Sequence, residues 1–254
     1  MNNGERNELL IKIFLAELKK NKDKSTVFGE IKSLGFGGVD YKILDEEIDY
    51  ENLDDKQIKL ISQRIGIEKS SPLNKADVFV NNVAYSIKYM DAGLPSLINH
   101  TNRIGFLRIA DSLGENIKHL DDLIKKYWDL RVSGKISEDC SNKNILSPFR
   151  ENKKTLRPYL EYFCFIGTGR SDSKYPAQFI FKFSKFNDPS SWKLYSKSEA
   201  INLIWDGLYF CMRDIAKSGV KDYEKSIYKE RLEPWTEFST KKYRGALSVR
   251  YKSK

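Results

Sequence analysis

A period-two pattern of apolar and polar positions runs through Asp77-Val-Phe-Val-Asn81-Asn82-Val-Ala-Tyr-Ser86-Ile87-Lys88. Two short apolar runs meet at an Asn-Asn pair, whose side chains tolerate the left-handed backbone of a tight hairpin turn. Pairing outward from that turn sets Val80 against Val83, Phe79 against Ala84, Val78 against Tyr85 and Asp77 against Ser86. Opposed residues share one side of a sheet, as do alternate residues of a strand. The pattern therefore predicts Asp77, Ser86 and Lys88 on one face. Val78, Val80, Tyr85 and Ile87 take the other, into a core.

Elsewhere the period changes to that of helices. Glu8–Lys20 is apolar nearly all round, which predicts a helix packed on several sides, with Glu8 at its start the one residue suited to a site. Gly35-Phe-Gly-Gly38 lacks the strand and lysine of a phosphate loop and reads as a turn. Asp54–Gly66 is a short helix closed by glycine, and Glu68–Lys75 is the loop that feeds the hairpin. Leu94–Leu113 is expected to be helical in part, carrying Asn99, His100 and Arg103 near the polar face of the hairpin. Glu115–Leu130 has a stripe of Ile117, Leu120, Ile124, Tyr127 and Trp128, ended by Ser133-Gly134.

Ser137–Arg157 is polar and lysine-rich, the pattern of a linker or of a loop lying on a ligand. Tyr159–Ile166 and Ala177–Phe186 read as strands around a turn at Gly167-Thr-Gly169, with Phe179, Phe181 and Phe183 read as core. Ser196-Lys-Ser-Glu199 is a capping box opening a helix through about Lys217, with Leu208, Cys211 and Met212 among its inward residues. Lys221–Lys254 is the most basic stretch and ends in an expected strand that presents Arg244 and Arg250 beside tyrosines. It is either a surface that reads nucleic acid or a solvated terminus.

Length and charge narrow the class. The chain has 254 residues, 40% hydrophobic and 31% charged, long enough for one large domain or two small ones. A net charge of +9 favours a polyanionic partner, against the alternative of a merely lysine-rich surface. There is no apolar run of about 18 residues, and the N-terminus lacks the shape of a signal peptide, so a cytoplasmic protein without membrane attachment is expected. Three widely spaced cysteines read as reduced thiols, and two histidines are too few for zinc ligation.

The chemistry lies in the polar face of the hairpin. A carboxylate holds a hard divalent cation through oxygen, the cation acidifies a bound water, and a lysine orients that water or offsets charge on a phosphate. The rival reading is an ordinary amphipathic hairpin with a surface Asp and Lys. Ala76-Asp77, Tyr85-Ser86-Ile87-Lys88 and Leu94-Pro-Ser-Leu-Ile-Asn99-His100-Thr101 together resemble the PD-(D/E)xK nucleases, and type II restriction endonucleases in particular.

That resemblance covers about thirty residues. It implies an α/β restriction-endonuclease-like fold, a mixed β-sheet core flanked by α-helices. It implies one nuclease domain over 1–254, mainly catalytic in 1–135 and mainly DNA-recognising in 150–254. It further implies Mg²⁺-dependent, sequence-specific cleavage of double-stranded DNA by a homodimer, with a companion DNA methyltransferase protecting the same site. Asp77 would bind the metal and Lys88 would serve the water. Ser86 stands where these enzymes usually carry Glu or Asp, so Glu8 is the expected extra acid and metal ligand, ahead of Glu47 and Asp91. Asn99, His100, Thr101 and Arg103 would lie along the DNA, and Arg170, Arg244 and Arg250 would recognise it. Two alternatives stay open: a nuclease of repair or RNA processing, and a non-catalytic nucleic-acid-binding module.

Overall fold

The computed structural model describes residues 1–67, 71, 73–89, 96–214, 235 and 244–251, with the backbone alone at 96, 214 and 244. In chain order the helices are α1 (Asn3–Asn21), α2 (Asp55–Ile65), α3 (Arg103–Leu113), α4 (Ile117–Val132), α5 (Lys153–Glu161) and α6 (Lys197–Ile204). The strands are β1 (Leu34–Phe36), β2 (Val39–Asp40), β3 (Val78–Val80), β4 (Val83–Tyr89), β5 (Ser96–Asn102), β6 (Phe179–Phe183), β7 (Lys193–Tyr195), β8 (Leu208–Asp214) and β9 (Arg244–Tyr251). The chain is mixed α/β and forms two compact units, Met1–Gly93 with Asp172–Ala200 and Leu94–Ser171 with Ile201–Lys254. β4 and β6 are parallel neighbours, and a parallel pair needs a crossover. Leu94–Ser171 lies wholly within that crossover.

The first unit holds a six-stranded mixed sheet in the order β2-β1-β3-β4-β6-β7. Every neighbouring pair is antiparallel except β4 with β6. The hairpin has the register its sequence predicts: Val78 opposite Tyr85, Phe79 opposite Ala84 and Val80 opposite Val83. Asn81 and Asn82 sit at φ of 52° and 64°, the two left-handed residues of a tight hairpin turn. Asn81 also fastens the turn to the preceding loop: its Oδ1 accepts from the Lys32 and Ser33 amides, and its Nδ2 donates to the Glu30 carbonyl.

Val78, Val80, Tyr85 and Ile87 are buried with Phe181, Phe183 and Trp192 against α1. α1 buries Leu10, Ile11, Ile13, Leu15 and Leu18, as its all-round apolar pattern requires. α2 is opened by a reciprocal Asp54–Gln57 capping box and closed by Gly66 at φ 86°. Gly37 and Gly38 form the β1–β2 turn, both at positive φ.

The second unit packs α3, α4 and α5 with a three-stranded antiparallel sheet, β5-β9-β8. Leu94–Leu113, expected to be helical in part, holds strand β5 from Ser96 and then α3 from Arg103, where Asn102 Oδ1 accepts the Gly105 amide. Two expectations change here. Tyr159–Ile166 is the end of α5 and a π-turn, not a strand. Leu156, Tyr159, Leu160 and Phe163 are buried in one core, so the helical spacing of burial outweighs a composition that favours strands. The helix opened by Ser196 stops at Ile204, and Leu208–Asp214 pairs with β9 as a strand. A short apolar run fits either period; the tertiary partner decided it.

Ser137–Arg157, expected as a linker or a loop lying on a ligand, is folded into turns up to Asn152 and then enters α5, with Asn142 buried and the Phe149 ring stacked on Phe210 at 4.4 Å. The expected terminal strand is β9, while Ile215, the tail before 244 other than Trp235, and Asp91 lie outside the described residues.

Candidate active site

Asp77 ends the loop before β3, and its amide donates to the Tyr85 carbonyl at 2.8 Å. That anchor turns its carboxylate onto β4, where Oδ2 accepts the Ile87 amide at 2.7 Å and the Ser86 hydroxyl at 3.2 Å. Lys88 Nζ donates to Ser86 Oγ at 2.9 Å and to the Ile87 carbonyl at 3.0 Å, and stands 3.9 Å from Asp77 Oδ2. The three side chains that alternation placed on one face thus form one chain of polar contacts. Ser86 is buried and bridges the other two, so its hydroxyl is a relay between acid and ammonium. The Asp77 side chain is 15% exposed and that of Lys88 51%. The carboxylate is held from the protein side, and the ammonium reaches solvent.

Glu8 is one turn from Lys12 on α1, and its Oε1 accepts from Lys12 Nζ at 2.7 Å. Lys12 is fully buried, in a helix of isoleucines and leucines, while the Glu8 side chain stays 31% exposed. Tyr41, which follows β2, is also buried, and its hydroxyl has no hydrogen-bond partner among the described residues. Burial first, then the negative charges of Glu8 and Asp77, push the Tyr41 phenol well above its ordinary pKa. The charges of Glu8 and Asp77 thus both act on the Tyr41 phenol. Glu47 is exposed on the loop before α2.

Among the described residues there is no group of three or more His, Cys, Asp and Glu able to hold a metal ion. Such a set is what zinc requires. Magnesium asks for less: one or two carboxylates, with water and phosphate oxygens completing its shell. The Asp77 carboxylate fits that need, because its contacts with described residues use Oδ2. Glu8 shares with Asp77 an influence on Tyr41 and has its own Oε1 engaged by Lys12.

The expected DNA-facing residues lie in the second unit, and the structure sorts them. β5 carries two register shifts against β9, one on each side of Ile98. The second sets Asn99 and His100 outside the ladder, both exposed, with His100 at φ 39°. A bulge of this kind re-aims side chains, and a non-glycine residue in the left-handed region stores strain. Thr101 is instead buried and packs where Gly105 and Gly169 leave room: a Cβ on Gly169 would meet its Cγ2 at 2.5 Å. That fit brings the Gly167–Ser171 turn, with exposed Arg170, beside the bulge.

Arg103 is taken up by Asp121, donating from Nε at 2.8 Å and Nη2 at 2.7 Å. Trp235 Nε1 donates to the same carboxylate at 2.7 Å. Arg103 and Thr101 thus have internal packing roles. Arg250 is half-buried on β9 with its Nε unpaired among the described residues, and Arg244 is described only as the first residue of β9.

No protein-family model, no curated protein and no solved structure matches the chain. No described helix is long and apolar enough to cross a membrane. The sequence pattern did not single out Lys12 or Tyr41. A lysine four residues after the acid in an otherwise apolar helix was the available signal for the first. Tyr41 has none in sequence, since its meaning comes from the two carboxylates brought near it.

Proposed function

We propose that this chain is a Mg²⁺-dependent nuclease of the PD-(D/E)xK kind that hydrolyses phosphodiester bonds of double-stranded DNA, as a type II restriction endonuclease does. The observation that carries the reading is the contact chain Lys88 Nζ–Ser86 Oγ–Asp77 Oδ2, with a solvent-reaching ammonium at one end and a carboxylate held by backbone at the other. An ordinary surface pair would not turn its acid onto a neighbouring strand's amide or bury the serine between them.

In the reaction, water oxygen bonds to phosphorus, the bridging P–O bond breaks, and the leaving oxygen takes up a proton. When bound, the cation supplies an acidified water and offsets phosphate charge. Asp77 would hold it, with Glu8 as the second carboxylate. Lys88 orients the attacking water or neutralises charge building on the phosphate, and Ser86 fixes the angle of that ammonium. Asn99, His100 and Arg170, exposed in the second unit, are the residues proposed to touch DNA. Sequence specificity, a homodimer and a partner methyltransferase belong to the same proposal.

Incubation of the purified protein with unmethylated phage DNA and Mg²⁺ tests it. Discrete fragments whose ends share one motif are expected, and Lys88→Ala should lower cleavage by at least about 100-fold, the usual size of a lost proton-transfer or charge-stabilising group. Scattered ends would turn the reading towards a repair or RNA-processing nuclease. Cleavage undiminished in Lys88→Ala would remove the catalytic assignment.

A further inference from the structure

Lys12 has no place in the reaction just described, yet it is the most completely buried charged residue of the first unit's core helix. Burying an ammonium is costly unless it is paired, and a buried ion pair is a poor way to gain stability compared with an apolar side chain of the same size. Neighbours Ile11 and Ile13 show that apolar residues suit this part of α1. Its partner among the described residues is Glu8, at 2.7 Å. Asp77 and Lys88 form a second acid–ammonium pair, 3.9 Å apart, and the charges of Glu8 and Asp77 both act on the buried Tyr41 phenol, whose hydroxyl has no hydrogen-bond partner among the described residues. In formal charge the two carboxylates and two ammoniums cancel.

We infer that Lys12 is a positioning residue, a tethered counter-ion that holds Glu8 and keeps the site neutral until a divalent cation draws that carboxylate away. The inference rests on the reading of Asp77 and Glu8 as metal-holding acids. A neutral site lets a phosphate approach before any metal is present. A net negative site would repel it. The same ammonium opposes a divalent ion, so one side chain weakens metal binding and favours metal-free DNA binding.

The magnitudes follow from Coulomb's law. A cation on the other oxygen of Glu8 would lie roughly 6 Å from Lys12 Nζ; in a medium as polar as water that repulsion is about tenfold in a binding constant, and about threefold for one phosphate charge at the same distance.

The test compares wild type with Lys12→Met, close to lysine in length and suited to a buried site, using the whole chain. Mn²⁺ binding is read by electron paramagnetic resonance, and binding of a labelled DNA duplex is read in EDTA by anisotropy. Lys12→Met should bind Mn²⁺ about tenfold more tightly and the metal-free duplex about threefold more weakly. Glu8→Gln, which keeps a hydrogen-bond acceptor for Lys12, should shift both in the opposite directions, and it carries the test if Lys12→Met does not fold. Unchanged Mn²⁺ affinity in both variants, or both affinities lost together in Lys12→Met, would overturn the counter-ion role while leaving the nuclease reading in place. A wild-type protein that binds no Mn²⁺ would overturn the metal site itself, and this inference with it.

Discussion

Asn81 offers a direct test of how the turn holds the hairpin that carries Asp77, Ser86 and Lys88. Its side chain makes three hydrogen bonds to the 30–33 loop, at 2.7, 3.3 and 2.9 Å, while its backbone sits at φ 52°. Each such bond contributes about 1 kcal/mol net, so Asn81→Ala, which loses all three and keeps a Cβ in the left-handed region as the wild type does, should destabilise by roughly 2–3 kcal/mol. Asn81→Gly loses the same bonds but removes that Cβ, whose left-handed placement costs about 1–2 kcal/mol, so its net loss should be only roughly 1 kcal/mol. The loss in Asn81→Ala is a large share of a typical domain stability of about 5–15 kcal/mol.

Asn82→Gly is the control. Asn82 is exposed at φ 64°, and a glycine there suits the same turn, so stability should change by less than about 1 kcal/mol. Urea unfolding followed by tryptophan fluorescence reads all three. The reasoning fails if Asn81→Ala and Asn81→Gly are equally stable, or if Asn82→Gly costs as much as Asn81→Ala.

Other consequences can be measured separately. Asp121→Ala removes the carboxylate that takes two bonds from Arg103 and one from Trp235, and should cost about 3–5 kcal/mol, a drop in Tm of about 10 °C; a melt within 2 °C of wild type would contradict it. Gly169→Ala would set a Cβ 2.5 Å from Thr101 Cγ2 and 2.8 Å from its hydroxyl, so a loss of about 2 kcal/mol or more is expected, with an unchanged denaturation midpoint as the contrary result. Tyr159 has a buried hydroxyl without a partner among the described residues, and burial, then Glu115, Asp121 and Asp111, push its pKa up to about 12. The folded state thus holds a proton that the unfolded chain releases near pH 10, and stability falls as pH rises from about 10 to about 12. Tyr159→Phe should flatten part of that fall and leave stability at pH 7 unchanged or raised by up to about 1 kcal/mol; an alkaline profile identical to wild type would refute it.

Local chemistry was enough for several parts of this protein. Two asparagines able to adopt left-handed backbone, between runs of period two, fixed the hairpin, its register and the face shared by Asp77, Ser86 and Lys88. An acid-amide box and a glycine bounded α2, and an apolar pattern on all sides buried α1. These features depend on neighbours a few residues away, which a sequence displays directly.

Contacts between distant segments decided the rest. Leu208–Met212 is a strand because β9 lies beside it, and Tyr159–Phe163 is helical because its spacing meets one core. Arg103 became a structural residue once α4 brought Asp121 to it, and Tyr41 acquired its significance from Glu8 and Asp77. Burial and electric field come from every group that surrounds a side chain, and those groups are assembled only when the chain folds. The pattern along the chain could therefore name Asp77, Ser86 and Lys88, whereas the buried pairing of Lys12 with Glu8 became visible only in three dimensions.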